Sequence, residues 1–212
     1  MAELRGKTED TFSLAIVAEL DGPLRQFGKR AWELVASAVP NLRKKIADKS
    51  PLTAMHYCDR YLRSPLSFLL LNEVLTAGLA LVGSANTADV TVETSTLAGN
   101  DIQEPKFLHH NWRDSEDRRY VFNSVFKATG SASLVEKFNG ELPHARALHL
   151  AWKDGTNTTI RLDQGIGYWR SAKGPKAFPF DQSPERQSKF LEELDLSIEA
   201  SSQSHSTFWY LA

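Results

Sequence analysis

Cys58 is the chain's whole stock of thiol among 212 residues, so no intrachain disulfide can staple the fold. An excess of one charge is missing as well, since 25 basic against 26 acidic side chains leave a formal charge of −1. That balance supplies no global pull toward nucleic acid or an anionic membrane, so binding to either requires a local patch. Long hydrophobic runs are also lacking. The most apolar stretch, Leu66 to Val82, carries Ser67, Asn72, Glu73, Thr76 and Gly78 and reads as a buried helix rather than a membrane span. The N-terminus lacks the basic-then-apolar pattern of a secretory leader, and the cytoplasm is the expected location, with no membrane partner. A glycine-rich phosphate loop is missing too: Gly165-Ile166-Gly167 lies between expected strands and opens no helix. His109 and His110 are adjacent, with no third ligand at a zinc-like spacing, so they read as loop residues. Neither metal nor cofactor is expected.

What the chain does hold is enough apolar material for a full core: 42% hydrophobic and 24% charged residues are ordinary values for a folded α/β domain. The expected division is an N-terminal arm with amphipathic helices over 1–50 and an α/β domain over 51–212. Leu24, Phe27, Ala31, Leu34, Val35 and Ala38 recur at helical spacing and predict a helix ending before Pro40. A basic helical turn follows over 41–48, containing Arg43, Lys44 and Lys45, and reads as a solvated face. Thr53 to Cys58 predicts a strand, and Ser64-Pro65 a helix start with serine at the cap and proline in the first turn. Alternation over Asp89 to Ser95 predicts another strand, and Asp114 or Ser115 caps a helix that Gly130 ends. Leu134 to Phe138 reads as one further helical turn. Strands are expected over 145–152 and 158–162, joined by an Asp154-Gly155 hairpin turn, and again over 166–170, 196–200 and 207–211, with a helix from Pro184 to about Leu194.

Candidate binding residues gather at the joints of these elements. Asp59, Arg60 and Arg63 lie between a strand and a helix, and the carboxyl ends of strands are where open α/β sheets collect ligands. Arg60 and Arg63 could hold a phosphate or a carboxylate beside Asp163; the plainer alternative is that Asp59 caps backbone donors or pairs with an arginine. A second basic set, Lys153, Arg161, Arg170, Lys173 and Lys176, has Tyr168 and Trp169 interleaved. Those aromatics either stack on bases or pack a surface loop. His149, between Leu148 and Leu150, points away from the face the leucines share and reads as a half-buried strand residue.

The order of elements resembles the phospholipase D-like fold of the MIT C-terminal domain family. The opening strand, turn and apolar helix correspond to Tyr57-Cys58-Asp59-Arg60-Tyr61-Leu62-Arg63-Ser64-Pro65 and the run from Leu66 to Leu81. The later half is similar through Leu148 to Trp152, Thr156-Asn157-Thr158-Thr159-Ile160 and Leu162-Asp163-Gln164-Gly165. The resemblance implies a mixed β-sheet flanked by helices, preceded here by an N-terminal helical extension. It also implies a catalytic His, a Lys two residues on and an Asp five after that. This chain presents Thr156, Thr158 and Asp163 instead. Threonine is a poor nucleophile without an adjacent base and cannot supply a lysine's charge, so the expected activity is none.

The family that the chain resembles occurs in eukaryotic proteins that act with membrane-remodelling complexes and in bacterial helicase-linked defence proteins. The resemblance therefore implies a non-catalytic interaction module, an accessory subunit of a bacterial helicase- or nuclease-linked defence complex with a large protein partner. Nucleic-acid binding through a local Arg/Lys patch is the alternative, and anionic-lipid head-group binding, as the eukaryotic relatives suggest, is a third. A homodimer is compatible with the resemblance.

Overall fold

The computed structural model describes residues 13–16, 18–84, 87–97, 112, 114–129, 132–173, 178–179, 182–203 and 206–211. The expected helix stop at Gly130, the pair His109-His110 and Lys176 lie outside the described residues. In chain order the elements are β1 (Ser13–Ile16), β2 (Gly22–Pro23), α1 (Phe27–Ala38), α2 (Pro40–Ala47), β3 (Leu52–Cys58), α3 (Pro65–Leu81), β4 (Asp89–Ser95) and α4 (Ser115–Val125). They continue with β5 (Ala132–Lys137), β6 (Arg146–Trp152), β7 (Asn157–Leu162), β8 (Arg170–Ser171), α5 (Pro184–Ser197), β9 (Glu199–Ser201) and β10 (Thr207–Leu211).

Local chemistry explains where the helices begin. Ser64 and Ser67 form a reciprocal capping box at the head of α3, and Pro65 sits in the first turn, where its missing N–H costs nothing. Asp114 caps α4 by accepting from the Asp117 N–H at 2.8 Å. Arg43 of α2 reaches back to the carbonyls of Ala36 and Ser37, satisfying acceptors at the end of α1.

Seven strands form one mixed sheet in the order β1-β10-β7-β6-β3-β4-β5. β3, β4 and β5 run parallel, joined through α3 and α4, while β6, β7, β10 and β1 add antiparallel partners on the other side of β3. β3 is therefore the strand at which the parallel and antiparallel halves meet. A small second sheet, β2-β9-β8, sits beside it. The expected α/β class, a large mixed sheet flanked by helices, is what forms. Residues on both sides of position 50 share one hydrophobic cluster, which runs from Ile16 through Trp32 to Leu211.

Three expected elements differ. Leu134 to Phe138 is strand rather than helical turn: Val90 to Ser95 pairs in register with Ala132 to Lys137, and a six-residue segment takes its conformation from that partner. The expected strand over 166–170 is a 3-10 turn at Ile166–Tyr168 followed by the two-residue β8. Gly165, at φ 72°, turns the chain inward there, and Trp169 is buried against Phe27 and Trp209. The apolar run from Leu196 is also split, its first residues extending α5 and the rest forming β9.

The core lies between the sheet and helices α1 and α3. Tyr57, Leu148, Ile160, Leu162 and Trp209 face Trp32, Val35, Leu71 and Val74 across it. A Cβ on Gly28 would fall 1.9 Å from the Glu73 carbonyl oxygen, and one on Gly78 2.6 Å from the Trp32 ring. These two glycines let α1 and α3 meet almost backbone to backbone, and the Trp32 indole N–H donates to the Val74 carbonyl at 2.7 Å. On the opposite sheet face His56 and His149 stack at 5.6 Å, Glu93 lies 3.3 Å from His56, and His149 shares a hydrogen bond with Thr159. His149 thus occupies the side expected for it. No helix among the described residues is long and apolar enough to cross a membrane.

Glu73 stands at the α1–α3 contact, and burial, reinforced by Asp195, raises its carboxyl from 4.5 to about 7 against the opposing pull of Arg25 and Arg30. The fold therefore prefers the protonated acid. Its contribution is fully present below about pH 4.5 and is lost as pH rises through about 7, in an amount that solvent screening of this half-buried group reduces. Denaturant unfolding of the wild type and Glu73→Gln across that window checks this. The stability difference between the two should grow with pH in favour of the glutamine variant, and parallel pH profiles would contradict the assignment.

Candidate functional site

The carboxyl end of β3 is where the fold would place a ligand, because neighbouring connections diverge there and leave a crevice. Asp59 follows β3 directly and is 1% exposed. One of its carboxylate oxygens accepts from the Tyr57 hydroxyl at 2.9 Å and the other from the Tyr61 N–H at 2.8 Å. The charge is compensated by Arg146, whose Nε stands 3.5 Å from Asp59 Oδ1 as an ion pair without a hydrogen bond. Burial pushes the Asp59 carboxyl up, while these hydrogen bonds, Arg146 and Arg63 pull it back. Burial, with Asp59 second, also drives the Tyr57 hydroxyl well above its ordinary value, which keeps it a donor.

Arg146 is brought here by register. β6 runs antiparallel to β3 and pairs Ala147 with Cys58, so the first residue of β6 arrives where β3 ends. Its guanidinium lies 4.7 Å from the Tyr61 ring centroid and donates to the Asp163 carbonyl. The turn after β7 then closes over the cluster. A Cβ on Gly165 would fall 2.4 Å from both Asp59 Oδ2 and Arg146 Cδ, and the Ile166 N–H donates to the Tyr57 hydroxyl at 3.1 Å. Only glycine fits, by space and by its positive φ. The crevice at the carboxyl end of β3 is filled by the chain's own turn.

The remaining expected site residues scatter. Arg60 turns to the Leu142 carbonyl at 2.6 Å, and Arg63 lies 5.3 Å from the Tyr61 ring. Asp163 joins the cluster through its backbone, its side chain being exposed. Thr156 and Thr158 sit on the β6–β7 hairpin at the opposite end of the sheet: Thr156 bonds Asp154 and Lys45, and Thr158 accepts from the Trp152 indole at 3.0 Å. Arg161 is exposed on the sheet face opposite α1 and α3, and Arg170 donates to the Gly167 and Trp169 carbonyls. Tyr168 is half-buried and meets Trp169 edge-on, while Trp169 is 1% exposed, so this pair packs the core beneath the loop. Cys58, also buried, has its thiol pushed up to about 11 by burial and stays protonated at neutral pH.

Sequence reasoning passed over Tyr57, Arg146, Gly165 and a second buried pair, Arg118 with Glu136. Arg118 is 1% exposed and bonds Glu136 and the Ser95 carbonyl, tying α4 to the ends of β4 and β5. The one available signal was the Asp163-Gln164-Gly165 turn, whose glycine marks a close approach without saying to what. Among the described residues no group of three or more His, Cys, Asp or Glu side chains is placed to hold a metal.

Fold and crevice together define an α/β domain whose strand-end crevice is closed by an internal ion pair. Over residues 10–212 the chain matches the family described as the C-terminal domain of the DEAD/DEAH box helicase YjiV, and it belongs to that family. No curated protein and no solved structure is similar enough to match.

The Asp59–Arg146 pair generates a specific expectation. Arg146→Ala strands a buried carboxylate and should cost about 3 kcal/mol of unfolding free energy. Adding Asp59→Ala should recover at least about 1 kcal/mol of the summed single losses. Chemical denaturation of the four members of the cycle measures the coupling, and strictly additive losses would show that the pair is not one unit.

Proposed function

We propose that this chain is a non-catalytic accessory domain that serves a DEAD/DEAH-box helicase motor, built on a phospholipase D-like arrangement that carries no working nucleophile. The observation behind this reading is the filled crevice: Gly165 lies against Asp59 and Arg146, with the Ile166 N–H fixed on the Tyr57 hydroxyl. A hydrolase needs a nucleophile, a base and an open position beside them. The strand-end cluster offers a carboxylate whose oxygens accept from Tyr57 and Tyr61 and are neutralised by Arg146.

The resemblance-derived positions support the same reading. Phospholipase D-type transfer needs an imidazole to take the phosphoryl group and a lysine to hold its oxygens. Thr156 and Thr158 have neither property, and their hydroxyls are engaged by Asp154, Lys45 and Trp152 within the hairpin. The family description names a helicase, and a domain without chemistry of its own contributes to such a machine through contacts. A nuclease partner, a role in genome defence and a dimer across the sheet are finer forms of the same proposal.

The test pairs two assays. ATP hydrolysis and duplex unwinding by the DEAD/DEAH-box motor of the same organism are measured with this domain present and with it removed or withheld. The proposal expects the rates to change at least about threefold, a difference of roughly 0.7 kcal/mol. The domain alone should release no product from an activated phosphodiester. Unchanged motor rates, or a phosphodiesterase activity that disappears in Asp163→Ala, would overturn it.

A further inference from the structure

A different part of the molecule has a shape and charge that the closed crevice lacks. Between α2 and the β6–β7 hairpin lies a cleft of about 500 Å³. Its lining is mixed: Lys44 and Lys45 from α2, Asn41 at its start, and Thr156, Asn157 and Thr159 from β7 and the turn before it supply polar groups, while Val39, Leu42 and Leu211 supply apolar ones. Lys45 is fixed in place, its ammonium 2.8 Å from both Asp154 Oδ2 and Thr156 Oγ1 and 4.8 Å from the Trp152 ring centroid. The Asp154 carboxyl is held far below the usual carboxylate range, first by Lys45 and then by Thr156, so this pair remains charged and locked.

The charge around the cleft runs against that of the whole chain. Arg43, Lys44, Lys45, Lys49 and Lys153 belong to its walls and flanks, against Asp48 and Asp154, so five cations and two anions leave +3 on a chain of −1. Lys49 lies between the lining residues Asp48 and Ser50, and the Lys153 N–H bonds the Pro51 carbonyl, which brings the hairpin and the α2–β3 turn together. Arg43 is engaged with carbonyls of α1 and Lys45 with Asp154. Lys44, Lys49 and Lys153 are exposed and have no carboxylate within ion-pair distance among the described residues.

We propose that this cleft binds the phosphodiester backbone of a polynucleotide. The Lys44 ammonium in the wall and those of Lys49 and Lys153 on its flanks supply the attraction, and the Asn157 amide supplies a neutral donor to phosphate oxygens. Among the described residues the lining has no exposed aromatic ring on which a base would stack, and nearby Trp152 is 3% exposed beneath Lys45. Recognition is therefore of backbone rather than sequence, and the domain gives a motor a second hold on its track, away from the closed crevice. The choice of a polynucleotide over other polyanions rests on the helicase reading above. The cleft itself rests on geometry and charge.

Fluorescence anisotropy of the whole chain with a labelled oligonucleotide of mixed sequence tests this. With three phosphates neutralised, affinity for a single strand should fall about 18-fold between about 50 mM and about 200 mM salt. Changing the base sequence should leave it unaltered. The double variant Lys44→Glu, Lys153→Glu, at exposed positions whose folding is checked by thermal melting, should weaken binding at least about tenfold. The matched control Arg186→Glu, Lys189→Glu on α5 should bind as wild type does. Absence of binding at low salt, equal loss in the control, or competition by polyglutamate as effective as by polynucleotide at equal charge would overturn the proposal, the last pointing to an acidic protein surface instead. If no polynucleotide binds while motor rates still respond to the domain, the cleft assignment fails and the accessory role stands; binding without any motor response gives the reverse.

Discussion

A single buried carboxylate sets what the rest of this molecule can do. Asp59 sits at the end of the strand where the parallel and antiparallel halves of the sheet meet, and an ion there is costly unless it is hydrogen-bonded and paired. The fold meets that demand from three directions, the Tyr57 hydroxyl, the Tyr61 amide and the Arg146 guanidinium, and packs the backbone of Gly165 close against them. Each solution consumes space that a ligand would need. The cluster therefore ties β3, β6 and the turn after β7 into one rigid node at the position where sheets of this architecture usually carry chemistry.

With that end of the sheet committed, the accessible chemistry lies elsewhere. Helices α1 and α3 close one face through Gly28 and Gly78, and the Arg118–Glu136 pair fixes α4 against β4 and β5. α2 is held to the far end by Arg43, which caps α1, and by Lys45, which bridges to the hairpin. The second contact gives a short basic helix a fixed position, so lysines that would otherwise be a solvated face stand at the wall of a cleft. Both ends of the sheet thus use a cation–carboxylate pair, one to shut a crevice and the other to shape an open one.

The parts of this arrangement legible in the sequence were those set by neighbours in the chain. Ser64-Pro65 and Asp114 announce helix starts because capping involves residues only three apart, and Asp154-Gly155 announces a hairpin for the same reason. β5 was not legible, since six residues with one clear alternation become strand only by pairing with β4. Nor was Arg146, which reaches Asp59 through the register of β6 on β3, a relation spanning 87 positions in the chain. Trp169 read as a surface aromatic because the glycine that turns it inward also permits outward turns. The threonine-for-histidine and threonine-for-lysine positions were visible, and their distance from Asp59 was not.

The central claim is that the β3 crevice is closed by the chain's own turn. Native-state amide hydrogen exchange at Ile166 addresses it most directly, because that N–H donates to the Tyr57 hydroxyl inside the closed node. If the account is right, Ile166 exchanges only as slowly as the core amides of β3, through global unfolding. Exchange of Ile166 on the timescale of an open surface loop, with β3 still protected, would show that the crevice opens in the native state and would contradict it.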